Sequence, residues 1–389
     1  MSLQRICAYA ALILLPCSAL NFGVSFSWGD VFLIAAVVLN AGELTQIRWF
    51  QIPFLLALPF FLLSTLLDPD ATLITSLQTL YLWGLVVPFG WVAFTTIPRR
   101  RIAHVLLAVF GVSSLVAIGQ TFGYVPEIGT QVVVDYFGGR VHRAAGLTIL
   151  CNELAAGLTS VVVLLPYVAR TTLRVPGLLS LLGGMLATMS KSNILALPGL
   201  CYYFWREPHK KQFLALLTLL VVGLAVVYSQ TEGLKSTWHL ASQAVQRRIE
   251  LAGTSLERRI EVLRYAMQYT RDCLWLGYGV AGTRGVFLRD TTNTAHIYYL
   301  GLVIIAGLPG AALWGIGVGS LLAGLVRRRE SIFAMYLVSH LSACLALTVL
   351  NLSAQSLPLL VAGAIVGRPA PARSGRLPRT NEGKLRRAA

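Results

Sequence analysis

The residues best suited to chemistry are arginines gathered in one polar stretch, with a histidine at its border. Residues 231–295 hold eight arginines and one lysine, and His296 follows just where an apolar run begins. Inside the stretch, Thr254-Ser255-Leu256-Glu257 has the spacing of a capping box, in which threonine and the glutamate three residues on satisfy free amides. Leu256, Ile260, Leu263 and Met267 then recur at helical spacing, which predicts an amphipathic helix to about Thr270. At 100° per residue Arg259 falls at the edge of that apolar stripe and Arg258 nearly opposite, so Arg259 is the one placed to face a membrane-proximal cavity. Gly277-Tyr278-Gly279 marks a turn. Three further groups stand out. They are Arg143-Ala144-Ala145-Gly146 leading to Asn152-Glu153-Leu154-Ala155, then Thr188-Met189-Ser190-Lys191-Ser192, and His296 with Gly307-Leu308-Pro309-Gly310 downstream. A guanidinium fork holds an anion at two points where lysine offers a point charge, and histidine changes charge near neutral pH.

The elements that must position these groups are membrane helices. The chain has 389 residues, 56% of them hydrophobic and 12% charged, with a mean hydropathy of +0.69. Roughly a quarter of the unfolded surface of a domain this size stays exposed, too much to hide such a composition in water. Apolar runs predict about twelve spans, near 6–22, 29–42, 50–67, 71–97, 102–122, 144–168, 173–188, 192–205, 212–230, 297–325, 332–350 and 352–366. Basic clusters at Arg99–Arg101, Arg170–Arg174, Arg206–Lys211, Arg327–Arg329 and the 367–389 tail all follow even-numbered spans. The positive-inside rule makes that side, and both termini, cytoplasmic. The 231–295 loop then faces outward, where basic residues are normally depleted, so its arginines are expected to have a use. This divides the chain into a transmembrane domain over 1–366, the large outward loop 231–295 inserted in it, and a basic, disordered tail over 367–389.

The same charge pattern argues against a nucleic-acid partner despite the net charge of +16, since the basic residues mark one membrane face; the tail reads as an anchor on anionic lipid. Arg5 and the apolar run to Leu20 read as an uncleaved first span, because Pro16 directly before Cys17 disfavours processing there. The six cysteines show no disulfide framework or metal spacing. Asp68-Pro69-Asp70 spells a two-aspartate motif of soluble, metal-using glycosyltransferases, but it occupies a short outward turn and is discounted. His104, His209 and His340 have no ligand partners at metal spacing.

Taken together, the four groups resemble the O-antigen ligase and polymerase superfamily of bacterial envelope glycosyltransferases, over roughly 140–325. Arg143, Gly146, Asn152 and Ala155 match an Arg-x-x-Gly followed by Asn-x-x-Ala. Ser190-Lys191 stands where the family has Ser-Arg. Arg259, Gly277 and Gly279 match a loop-helix arginine leading into Gly-x-Gly. His296, Gly307 and Gly310 match the last motif, with Ile297 replacing its usual polar residue. The resemblance implies an all-α polytopic fold of about 12 transmembrane helices with a large helical periplasmic loop, similar to GT-C enzymes, in the bacterial inner membrane. It also implies a polyprenyl-diphosphate-linked glycan as donor and lipid A-core or a growing glycan as acceptor. A sugar hydroxyl attacks the anomeric carbon and polyprenyl diphosphate leaves. His296 would serve as the base, kept neutral by the positive end of its helix. Arg143, Arg259, Arg258, Lys191 and Asn152 would bind diphosphate or substrate, and no cofactor or divalent ion is required if arginines stabilise the departing charge. A polymerase shares the same motifs, and Ile297 weakens the ligase assignment. A transporter or lipid-carrier flippase is the competing class, disfavoured because no internal repeat is found.

Overall fold

The computed structural model describes residues 2–22, 26–69, 71–128, 132–136, 139–168, 171–188, 190, 193, 197–206, 264, 268, 271, 274–279, 298–344 and 353–368. Its helices are α1 (Leu3–Leu14), α2 (Trp28–Leu39), α3 (Ile52–Leu66), α4 (Leu73–Phe94), α5 (Arg99–Thr121), α6 (Cys151–Tyr167), α7 (Thr171–Thr188), α8 (Leu197–Arg206), α9 (Tyr298–Arg327), α10 (Ser331–Ala343) and α11 (Ser353–Gly367). Each overlaps one of the expected spans. The expected span over 212–230 lies outside the described residues. By length and composition three of them, α4, α5 and α9, can cross a membrane; most others are shorter apolar helices, so a count of twelve crossings stays an expectation. Of the expected loop helix, Arg264 and Gln268 are described; both, and Arg271 just past its expected end, are helical and exposed.

Local chemistry sets the helix boundaries. Asp30 caps α2 by accepting hydrogen bonds from the Ser27 amide and hydroxyl, and its other oxygen accepts from Tyr81 of α4. Thr72 caps α4 by accepting from the Thr75 amide at 3.2 Å. The middle of α4 widens into π-helix over Leu80–Val86 and tightens to a 3-10 turn over Gly90–Phe94, around Pro88. One departure from an all-helical chain is a hairpin, β1 (Val132–Tyr136) antiparallel to β2 (Gly139–Arg143), with Val132 opposite Arg143. The expected spans 102–122 and 144–168 leave this segment in an outward link, 123–143, with no strand expected there. Its Val132-Val133-Val134 run and the Gly138-Gly139 pair are the strand and turn signals that explain the difference.

A continuous core joins most of these helices, with Phe61 stacked on Trp83 at 3.8 Å between ring centroids and Trp91 buried beside α11. Polar contacts tie the helices together at both ends. At one end His104 Nε2 lies 2.9 Å from Tyr167 O, Arg99 pairs with Glu330, and Arg368 donates to the carbonyls of Phe94 and Ile97. Arg327 sits over the Trp49 ring at 5.8 Å, within cation–π range. Several of the basic clusters therefore gather at this end. The 23 residues of α5 separate it from the other end by about 35 Å, and there the motif residues are found.

Candidate functional site

Arg143 closes strand β2, and its side chain is fixed by two neighbours. Nε donates to Thr188 O at 3.1 Å, at the end of α7, and Nη2 donates to Asn152 Oδ1 at 2.9 Å, in the first turn of α6. The Ser190 hydroxyl donates to the same Asn152 oxygen at 2.9 Å. The strand is pinned as well, since Ala144 N donates to Ala187 O at 3.2 Å. Thr188 is held in turn by its own hydroxyl donating to Met185 O at 2.7 Å, and Asn193 donates to the same carbonyl at 2.6 Å. Two of the expected groups thus meet in one cluster: Arg143 with Asn152, and Thr188 with Ser190. Five N–H groups make up a guanidinium, and two are engaged here, so three have no partner among the described residues. Half-buried and held at two points, Arg143 presents them in a fixed orientation.

Gly146 makes the turn between β2 and α6 possible. Its φ is +60°, and a Cβ there would lie 2.5 Å from Ser113 Oγ and 2.6 Å from Ser113 O. The Gln120 side chain clamps it from the other side, accepting from Gly146 N at 2.9 Å and donating to Gly146 O at 3.2 Å. This spacing of Arg143 and Gly146 is therefore mechanical: the glycine lets the chain turn against α5, and the arginine is delivered to Asn152.

A second junction forms between Leu274–Gly279 and α9, which is broken at Gly307 (φ 70°, ψ 174°). In an unbroken helix Leu308 N would donate to Ile304 O. Here Leu308 N donates to Leu274 O at 2.8 Å, and Ile304 O accepts from Tyr278 N at 2.7 Å. Both groups orphaned by the break are taken up by the docked segment. Pro309 adds a third vacancy, since it has no N–H for Ile305 O; Gly277 packs on that carbonyl so closely that a Cβ would be 2.4 Å from it. A Cβ on Gly307 would be 2.5 Å from Trp275 O. The sequence reading had 297–325 as one uninterrupted span, and Gly307-Leu308-Pro309 was the signal for the break.

Residues 176–315, about a third of the chain, match the family model described as O-Antigen ligase. The match supports placing this segment in the O-antigen ligase and polymerase superfamily. No curated protein matches the chain in sequence. The family comprises glycosyltransferase-like enzymes, and the match supports a ligase or polymerase type of activity. Both interlocked glycine motifs and the Thr188–Ser190 segment fall within the O-antigen ligase match, and Arg143 and Asn152 pack on it from outside.

Of the remaining expected site residues, His296, Arg258, Arg259 and Lys191 lie outside the described residues. Two side chains that the sequence reading left aside come into view. Asp68, discounted with its turn, is buried beneath the Gly-x-Gly motif, where a Cβ on Gly279 would lie 3.0 Å from its Oδ2. Glu153 turns away from Asn152 and accepts from the Ser18 hydroxyl at 3.0 Å, while Ser18 Oγ accepts from Ile149 N at 3.0 Å. Ser18 thereby fastens the end of the first span to the start of α6, a long-range contact with no local signature in sequence. His340 packs nearby, with Nε2 2.8 Å from Gln355 O.

Proposed function

We propose that the protein is an inner-membrane glycosyltransferase of O-antigen ligase type. It transfers a glycan from a polyprenyl-diphosphate carrier to a sugar hydroxyl of lipid A-core on the periplasmic face, without a metal ion. In this reading residues 1–366 form the transmembrane domain, 231–295 the periplasmic loop and 367–389 a cytoplasmic tail. The observation that carries the reading is the Arg143 guanidinium, oriented by Thr188 O and Asn152 Oδ1, with three N–H groups uncommitted among the described residues. Such a fork suits the oxygens of a diphosphate.

The acceptor oxygen bonds to the anomeric carbon as the bond from that carbon to the diphosphate oxygen breaks. Polyprenyl diphosphate departs with the electron pair, and His296 takes the hydroxyl proton. Charge gathers on the leaving group, where Arg143 and Arg259 act; positive groups fixed in advance stabilise it without reorganising. Arg258, Lys191 and Asn152 complete the binding surface. Ile297, in place of the usual polar residue beside the histidine, favours a second reading: a polymerase that uses this site to lengthen the glycan on its carrier.

The test is purified protein in lipid vesicles, supplied with a polyprenyl-diphosphate-linked glycan and lipid A-core, with EDTA and no ion gradient. Glycan on lipid A-core is the expected product, and glycan lengthened on the carrier would indicate the polymerase. Movement of the carrier between leaflets with no new glycosidic bond would overturn both readings.

A further inference from the structure

The basic end of the bundle holds a crevice of about 400 Å3, within the ~300–1,000 Å3 range of small-molecule sites. Its walls come from the start of α1 (Gln4), the residue capping α2 (Asn40), the turn after it (Glu43), the turn that follows α4 (Thr96) and the residue following α11 (Arg368). It is far from the motif residues and plays no part in the chemistry above.

The hydrogen-bonding inventory of the walls is unbalanced. Gln4 spends its amide nitrogen on Leu39 O and the Asn40 side chain, and Asn40 donates to Ala36 O at 2.7 Å. Thr96 Oγ1 and Arg368 Nε, by contrast, are buried and have no hydrogen-bond partner among the described residues. Both can donate. Buried donors are almost always satisfied, so this pair calls for an acceptor.

The charge inventory is unbalanced in the same sense. Arg48 is 3.9 Å from Glu43, the one acid on the rim among the described residues, and Arg99 pairs with Glu330. Arg328 and Arg368 then have no carboxylate among the described residues, and they adjoin each other through Arg328 Nη2 donating to Arg368 O at 2.6 Å. Burial, and after it the nearby Arg99 and Arg328, hold Arg368 below the usual arginine range, as expected where positive charge is crowded and only half solvated.

We propose that this crevice binds a phosphoryl group, with Arg368 and the Thr96 hydroxyl as its donors and Arg328 supplying long-range attraction. A planar guanidinium beside a hydroxyl donor fits phosphate oxygens better than a monovalent halide. Ile47 and Trp49, on either side of Arg48, are 60% and 47% exposed. They provide apolar surface for acyl chains, so the headgroup of an anionic phospholipid is one source of the phosphoryl group; free inorganic phosphate is the other.

The full-length protein in detergent, delipidated and then titrated, distinguishes them. Native mass spectrometry is run with phosphatidylglycerol or with diacylglycerol of the same chains, and melting is followed with inorganic phosphate. A lipid site gives preferential retention of phosphatidylglycerol, weakened about tenfold in Arg368→Gln, as for loss of a charged hydrogen bond. The near-isosteric Thr96→Val should weaken it about threefold, the share of one neutral hydrogen bond. A free-phosphate site instead shows stabilisation by millimolar phosphate that both substitutions reduce. If Arg368→Gln fails to fold, Thr96→Val decides alone. Equal retention of both lipids with no phosphate stabilisation, or binding unchanged in Thr96→Val, would overturn the proposal. None of these readouts involves glycan transfer, so they stand or fall apart from the proposed function.

Discussion

Replacing Gly307 with alanine tests whether the docked 274–279 segment holds the proposed transfer site together. Alanine at φ 70°, ψ 174° costs about 1–3 kcal/mol, because this backbone region is essentially reserved for glycine. The new methyl would also lie 2.5 Å from Trp275 O, 2.6 Å from its carbonyl carbon and 2.8 Å from Leu276 N, all backbone atoms that no rotamer change can move aside. Relief requires the segment to lift, which gives up the Leu308–Leu274 and Tyr278–Ile304 hydrogen bonds. Those two are together worth about 1–3 kcal/mol, no more than the strain, so undocking becomes the favoured response. A shift of ~3 kcal/mol moves the docking equilibrium by roughly a hundredfold. We expect turnover to fall at least about tenfold while the protein still inserts. Hydrogen exchange at the Tyr278 and Leu308 amides should accelerate together. Gly315→Ala and Gly319→Ala are the matched controls, since a Cβ at either meets nothing within 4 Å. Within a helix each should be stabilising by up to ~1 kcal/mol and leave turnover alone. Normal turnover in Gly307→Ala, with both amides as protected as in the parent, would refute the reasoning.

Two further outcomes follow from the arginine cluster and the loop. Arg143→Lys keeps the charge but loses the fork that spans Thr188 O and Asn152 Oδ1; kcat/KM for the donor should drop by roughly 10- to 100-fold, the scale of a charge-assisted hydrogen bond, and steady-state kinetics with varied donor will show it. His296→Ala and Arg259→Ala should each abolish transfer without affecting membrane insertion, and native glycan levels in either variant at parental expression would remove that residue from the mechanism.

The part of the candidate site that lies within the described residues was legible because its motifs are local. Arg143, Asn152, Thr188 and Ser190 were singled out by residue type and spacing, and they meet in space. What joined them was not legible, because Thr188 O and the Ala144–Ala187 contact depend on a β-strand lying beside the end of α7. The hairpin itself is a three-valine run before two glycines, too short to outweigh its outward-loop surroundings. Helix positions followed from apolar runs, yet boundaries moved where polar groups join the helix. Arg99–Arg101 form the first turn of α5, and residues 144–150, expected as the start of a span, instead form the turn around Gly146. The break in α9 had a sequence signal in Gly307 and Pro309, but its partner lies some 30 residues earlier in the chain, and no local pattern ties the two glycine motifs together. Ser18 and Gln120 were missed for the same reason: each acts on a backbone far away in sequence.

The discontinuity in α9 also bears on how the protein tolerates its surroundings. An unbroken rod of 30 residues would run about 45 Å, and any tilt imposed at its arginine-rich foot would swing its head. With the rod divided at Gly307, bilayers of differing thickness can reorient the longer lower piece. The upper piece keeps its bearing on the segment seated against it.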